Sequence, residues 1–440
     1  MEQKDIEMNV QTMTRAGRRV DGRGASGIFR AVLFWATLIP AAQSQHAYTW
    51  AELRDRFEAA NPALQAAKLA VDESRAQEIT AYLRPNPGLT MTLDQLNPFT
   101  GNPDHYRPLT YTLPALSFSY LHERQHKREL RRESAEQATA IAESDLMDQR
   151  RNLIFNLRAA YVQTLQAKAV LEMTRANLAN WDQLLRISAD RLKAGDIAPI
   201  DYSRLQLQRV QYETDLQTAE VNLRTAKIQL LQLLNDRMPV DRLDVNGNFD
   251  FDTGLAPAEE FRKLALDNRP DLKAAAQAVE KAATDHKLAV ANSSTDPTFS
   301  VDIARNPPIP AYFGVSVNIP LRIFDRNQGE RLRTGIEMRR AERLKESMLA
   351  QVFSDVDSSH TLVASSVSLL RNYKANYLQQ ALQVRDTVSF SYQRGGATLL
   401  DFLSAQNDYR GIQLNYLNLV GAYLTAAGQL NLAVGREAIQ

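Results

Sequence analysis

The chain has 440 residues, a net charge of +1, 44% hydrophobic and 23% charged residues, and no cysteine. That is apolar enough for a packed core and too balanced in charge for nucleic acid as a main partner, and it excludes disulfides, thiol catalysis and zinc–thiolate sites. Only 18 Gly and 17 Pro predict few turns and long elements.

The N-terminus reads as an address. Arg15, Arg18, Arg19, Arg23 and Arg30 precede a short apolar run over 32–42, with small residues at Ala42 and Ser44. A basic segment, about ten apolar residues and small residues before the cut describe a secretory signal over 1–44. Translation could equally start later, at Met13. An N-terminal membrane anchor would need a longer run, ~20 residues. The rest of the chain is expected outside the cytoplasm.

Two stretches then echo each other. Residues 60–75 and 268–283 share Pro62/Pro270, Leu64/Leu272, Ala66/Ala274 and Val71/Val279 at an offset of 208; Gly195/Gly395, Asp201/Asp401 and Gln206/Gln406 match at an offset of 200. The spacing is too long for a solenoid unit and indicates a duplicated domain. The first repeat is set at 45–240, a linker or equatorial segment at 241–256, and the second repeat at 257–440.

Each repeat has one plan. A helix (about 51–83, then 257–293) leads into two short strands. A very long helix follows (about 121–193, then 327–393), and a glycine turn reverses into another (about 197–236, then 397–436). Leu146, Leu153, Leu157, Ala160, Tyr161 and Leu165 recur at helical spacing. A helix of about 70 residues is ~100 Å long and must pack along its length against other long helices.

The strands alternate. Leu89, Met91 and Leu93 are interleaved with Thr90, Thr92 and Asp94; Leu116, Phe118 and Tyr120 with Ser117 and Ser119. Phe299, Val301 and Ile303 are interleaved with Ser300 and Asp302; Phe313, Val315, Val317 and Ile319 with Gly314, Ser316 and Asn318. One greasy and one polar face suit a half-buried sheet or a membrane β-barrel wall. No apolar run is long enough for a helical span, so any crossing uses strands. Four strands cannot close a barrel, and an open edge in lipid is forbidden. Strands that span a membrane therefore require several chains in one barrel; three would give twelve strands. The alternative is a soluble scaffold whose hairpins pack under the helices.

At this point the sequence resembles the TolC-like outer-membrane efflux proteins over about 48–436. Asn61-Pro62-x-Leu64-x-Ala66 and Arg269-Pro270 look like the family's helix opening, and 193–201 and 395–401 like its two hairpin tips. Residues 319–330 (IPLRIFDRNQGE) are similar to the strand-to-helix junction of the heavy-metal, CzcC-like branch, with Arg322 and Ile323 added between Leu321 and Phe324. The resemblance implies a mainly α fold with a small β part: long antiparallel coiled-coil helices and four membrane strands per protomer. It implies a homotrimer whose twelve-stranded outer-membrane barrel continues into an α-helical barrel across the periplasm. Its partners would be outer membrane lipid, a periplasmic adaptor and an inner-membrane pump of the RND type. Metal ions or small toxic compounds would leave through a passive duct, with no cofactor, no resident metal and no reaction.

The tips carry the expected site. Gly195 and Gly395 suit the reversal between helices, and Pro199 the first turn of the returning helix. Lys193, Gly195, Asp196, Pro199, Arg394, Gly395 and Gly396 are assigned by resemblance to adaptor docking. Asp201 and Asp401 are expected about two turns into their helices, where one pore-facing Asp per chain would make a ring of three carboxylates. By resemblance Asp401 matches a gate aspartate and Ser404 replaces a second one. Tyr392 and Asp201 match a hydrogen-bond network that closes the tip, and Ala397 stands at its basic position. The bland alternative is an Asp that merely caps a helix.

One motif competes. His122-Glu123-Arg-Gln-His126 fits H-E-x-x-H, which on a helix would put two zinc ligands on one face beside a general base. The flanking Lys127, Arg128, Arg131 and Arg132 oppose a dication there, and no third ligand is evident. A zinc peptidase using these residues is the enzyme alternative.

Overall fold

The computed structural model describes residues 47–96, 112–306 and 308–439. The expected signal segment 1–44 lies outside them. The chain order is β1 (Ala47–Tyr48), α1 (Trp50–Ala60), α2 (Pro62–Tyr82), β2 (Gly88–Asp94), β3 (Leu113–Leu121), α3 (Lys127–Ala194), α4 (Pro199–Leu233), β4 (Asp244–Val245), α5 (Ala258–Asn268), α6 (Pro270–Ala291), β5 (Thr298–Asn306), β6 (Ile309–Asn318), α7 (Gln328–Asn372), α8 (Leu378–Gln393) and α9 (Leu399–Val434). A π-turn, Tyr373–Tyr377, joins α7 to α8.

Four boundaries differ from expectation. The helices expected over 51–83 and 257–293 each break at an X-Pro step. Asn61 and Arg269 both sit in extended backbone (ψ 119° and 117°), because a following proline disfavours the helical conformation. Asn61 turns the break into a restart: its side chain accepts from Leu64 N at 3.0 Å, with Pro62 at the first helical position. The first long helix starts later, at Lys127, and the second at Gln328, within a residue of its expected start; each follows a left-handed residue, His126 (φ 54°) and Asn327 (φ 58°). The second of them is interrupted by the π-turn. The segment expected as a linker contributes β4, which pairs in parallel with β1.

α3 has 68 residues and is therefore ~100 Å long. Its middle enters the main core, where Leu157, Tyr161 and Leu165 meet Leu53 and Phe57 of α1, Leu230 of α4, Val245 of β4, Val352 and Val356 of α7 and Leu430 of α9. This core lies midway along α3 and at the C-terminal ends of α4 and α9. A second, smaller core sits at the hairpin tips.

The remaining sheet is an antiparallel meander in the order β2-β3-β5-β6. Its register sorts side chains into rows. Leu89, Phe118, Val301 and Val315 stand in one row across the sheet, and Met91, Leu116, Ile303 and Phe313 in another. Thr90, Ser117, Asp302 and Gly314 form the intervening polar row. The apolar rows are uncovered; Val315 is 75% exposed and Met91 81%. Hairpins packed under the helices, as a soluble scaffold requires, would have these side chains buried. β5 and β6, at 9 and 10 residues, have the length of a tilted membrane strand, about 9–11 residues.

Candidate functional site

All four helix ends that meet at the tips are set by local chemistry. Gly195 ends α3 with φ 82°, donating to Leu192 O at 3.1 Å, while Asp196 N reaches Arg191 O at 2.9 Å. Gly395 follows α8 with φ 78°, and Gly396 N bonds Ser391 O at 2.8 Å. These are glycine-terminated helix ends in which a left-handed residue returns the last donors to open carbonyls. A Cβ on Gly395 would meet nothing within 4 Å, so only the backbone conformation resists substitution. Gly395→Ala is expected to cost about 1–2 kcal/mol, seen as faster amide exchange confined to residues near 390–400.

The returning helices start differently. Pro199 occupies the first turn of α4, and its N-cap, Ala198, offers no side-chain acceptor. In α9 Thr398 is the N-cap: its hydroxyl accepts from Asp401 N at 3.2 Å and donates to Asp401 Oδ2 at 2.6 Å, and Thr398 N donates to the same oxygen at 3.1 Å. This is a capping box. Asp201 and Asp401 are thus the third residues of their helices, in the first turn and not two turns in. The Thr398 hydrogen bonds hold the exposed Asp401 carboxyl below the usual carboxylate range, so it is ionised at neutral pH.

Beneath the tips lies a feature that sequence reasoning missed. Tyr392 stacks on Phe402 (centroids 4.9 Å, 18°), Phe402 on Trp181 (6.1 Å, 24°) and Trp181 on Tyr212 (4.9 Å, 24°). Arg191 lies over the outer face of Tyr392 at 5.6 Å and Arg410 over Tyr212 at 5.2 Å. Trp181 Nε1 donates to Leu205 O at 3.2 Å, and Arg410 is fixed by Asp215 at 2.6 Å. One column thus ties α3, α4, α8 and α9 together. Tyr392 is buried, and its hydroxyl has no hydrogen-bond partner within the chain. Burial pushes that hydroxyl above the ordinary phenol range, with Arg191 opposing and Asp201 reinforcing the shift. The expected Tyr392–Asp201 network is therefore a proximity within one chain and not a hydrogen bond.

The other tip residues are open. Lys193 pairs with Asp190 at 3.0 Å, both exposed; Arg394 lies over the Phe390 ring at 5.0 Å; Asp196 and Ser404 face solvent. Ala397 packs against the aromatic column.

The H-E-x-x-H segment is not helical. Gln125 and His126 are left-handed (φ 60° and 54°) and α3 begins only at Lys127, so the two histidines share no helix face. Glu123 is held by Arg131 through both carboxylate oxygens (2.5 and 2.9 Å), and the His126 side chain is 88% exposed. No group of three metal-ligating side chains occurs among the described residues. Glu123→Gln should therefore loosen the start of α3 by about 1–3 kcal/mol, through loss of a charged hydrogen-bonded pair, and leave efflux resistance intact in a growth assay.

The long helices, the tips and the small uncovered sheet have close parallels. Residues 262–436 match the family model described as outer membrane efflux protein. Over that stretch the chain is similar to the outer membrane efflux proteins. It is 24% identical over 316 residues to the cobalt-zinc-cadmium resistance protein CzcC of Cupriavidus metallidurans, covering 70% of this chain and 74% of that one. To the pyoverdine export outer membrane protein OpmQ of Pseudomonas aeruginosa it is 27% identical over 322 residues, 69% of this chain and 65% of that one. The fold superposes on the outer membrane protein VceC from Vibrio cholerae with a TM-score of 0.72 at 19% identity, over 88% of this chain and 96% of that one. The proteins it resembles are outer membrane proteins, and its location is likewise the outer membrane, extending into the periplasm.

Proposed function

We propose that three copies of this chain form a passive exit duct. Each copy contributes β2, β3, β5 and β6 to a twelve-stranded barrel and its long helices to an α-helical barrel. The supporting observation is the sheet itself. Its apolar rows are uncovered, and its edge strands β2 and β6 run antiparallel to each other, so β6 of one copy can continue the meander into β2 of the next. An unclosed edge would strand backbone donors and acceptors in lipid. The repeats 45–240 and 257–440, joined through 241–256, supply the two hairpins of each copy.

The tips are the periplasmic end. Lys193, Gly195, Asp196, Pro199, Arg394, Gly395 and Gly396 form the surface for a periplasmic adaptor linked to an RND-type pump. Asp201, Asp401, Tyr392 and Ser404 form the constriction. Relatives named for cobalt-zinc-cadmium resistance and for pyoverdine export resemble this chain to a similar degree, which supports a cargo set by the pump. The junction 319–330 resembles that of the heavy-metal branch with two residues added, so metal ions stand beside small toxic compounds as cargo. The subunit passes cargo without reaction or cofactor.

Two experiments test this. Membranes washed with alkaline carbonate should retain the protein; release into the wash rejects the barrel. In planar bilayers Asp401→Asn, which keeps an acceptor for Thr398, should weaken cation selectivity with little loss of stability. Unchanged selectivity would reduce Asp401 to a helix cap.

A further inference from the structure

The apolar alternation of β6 outlasts its ladder. Pairing ends at Asn318, yet Ile319, Leu321 and Ile323 continue the odd-numbered apolar positions and are 52, 77 and 60% exposed, and Phe324 is 90% exposed. Ile323 N bonds Leu321 O at 3.0 Å and turns the chain about Arg322. This finger hangs from the helix-proximal end of the sheet, where β2 and β5 begin and β3 and β6 end.

Guanidinium groups surround that end. Arg84, Arg124 and Arg326 are exposed and form no salt bridge among the described residues. The Arg322 Nε is covered and has no hydrogen-bond partner. Three neighbouring carboxylates are already engaged, Asp296 by Lys127 at 2.6 Å, Glu123 by Arg131 and Glu129 by Arg128, while Asp325 forms no salt bridge among the described residues and accepts from Asn327 N at 2.8 Å. The arginines Arg84, Arg124 and Arg326 outnumber the one unpaired carboxylate, Asp325, so the excess charge here is positive. A second copy would bring the same sign to this level, so the complementary anion must come from outside the protein.

We propose that Leu321–Phe324 is an interfacial anchor that enters the periplasmic leaflet, and that Arg84, Arg124, Arg322 and Arg326 bind phosphates of anionic phospholipid there. The proposal rests on the barrel reading above. Apolar side chains at the acyl boundary with arginines reaching the headgroups are the physical signature of such a site. The finger contains the two residues, Arg322 and Ile323, by which this junction departs from the CzcC-like pattern.

The absence of cysteine makes single-cysteine labelling unambiguous. Nitroxide-labelled Phe324→Cys, Val315→Cys and Leu400→Cys are reconstituted as the full assembly in phosphatidylethanolamine vesicles with and without phosphatidylglycerol. Leu400→Cys, at the tip, is the aqueous control. The label at 324 should be relaxed by oxygen more than by a water-soluble nickel chelate, at a shallower depth than the label at 315. Native mass spectrometry should show phosphatidylglycerol retained preferentially, and roughly tenfold less of it in Arg322→Gln/Arg326→Gln and in Arg84→Gln/Arg124→Gln. The second pair guards against misfolding in the first. A label at 324 that is open to the chelate, or closed to both relaxants by a neighbouring copy, overturns the anchor while a lipid-exposed label at 315 leaves the barrel standing. An aqueous label at 315 would overturn the barrel and the anchor together.

Discussion

Val315→Arg should block assembly in the outer membrane, and Ser316→Arg should not. The two residues are adjacent on β6 and both are exposed in the single chain. On a soluble surface both substitutions would fall within about 0.5 kcal/mol of neutral. In a barrel wall they part company, because adjacent residues face opposite sides of the sheet. Val315 shares its row with Leu89, Phe118 and Val301 and would put a guanidinium into hydrocarbon, at a cost of ~2–4 kcal/mol near the bilayer midplane. In the proposed trimer three copies of the chain would multiply that cost. Ser316 shares its row with Ser119 and Ser300 and faces the lumen, where an arginine alters selectivity at little cost to stability. The check is the fraction of protein recovered in carbonate-washed outer membranes as folded, heat-modifiable oligomer. Equal recovery of the two variants would mean that the sheet does not face lipid.

Trp181→Ala is the largest effect expected at the periplasmic end. Trp181 is 3% exposed and central in the column Tyr392–Phe402–Trp181–Tyr212. Removing a buried tryptophan costs ~3–5 kcal/mol, from lost transfer energy and the cavity left behind. The main core lies far up α3, so the loss is local to the tips. Amide exchange near 178–212 and 388–406 should speed up roughly a hundredfold or more, since each ~1.4 kcal/mol is a factor of ten. A loosened tip should also admit a large polar dye. Trp181→Phe keeps the stacking, loses only the hydrogen bond to Leu205 O, and should cost ~1 kcal/mol. Unchanged exchange in Trp181→Ala would show that the column does not hold the tip together.

Much of the architecture was legible because its signals are local. Period-two alternation gave the strands, glycines at 195 and 395 gave the reversals, and the stripe through Leu157 and Leu165 gave the long helix. Other features were present in the sequence but underused. Proline at 62 and 270 marks the breaks in the first helix of each half, and the Thr398-x-x-Asp401 spacing is that of a capping box. The aromatic column was not legible. Its rings come from positions 181, 212, 392 and 402 on four helices, and each alone reads as ordinary core. The left-handed backbone at Gln125 and His126, which dissolves the zinc motif, has only a weak sequence signature, since histidine is among the side chains enriched at positive φ and glutamine is not.

Chain closure across copies is the central claim, and crosslinking tests it most directly. Leu89 on β2 and Val315 on β6 lie at opposite edges of one sheet, three strand spacings or ~14 Å apart within a chain. In a Leu89→Cys/Val315→Cys variant, a bis-maleimide shorter than that separation can join them only between copies. Treatment of intact outer membranes should give covalent dimers and then a trimer at which the series stops, with each single-cysteine variant remaining monomeric on a denaturing gel. A series that runs past the trimer, or no crosslinking at all, would contradict a twelve-stranded barrel built from three chains.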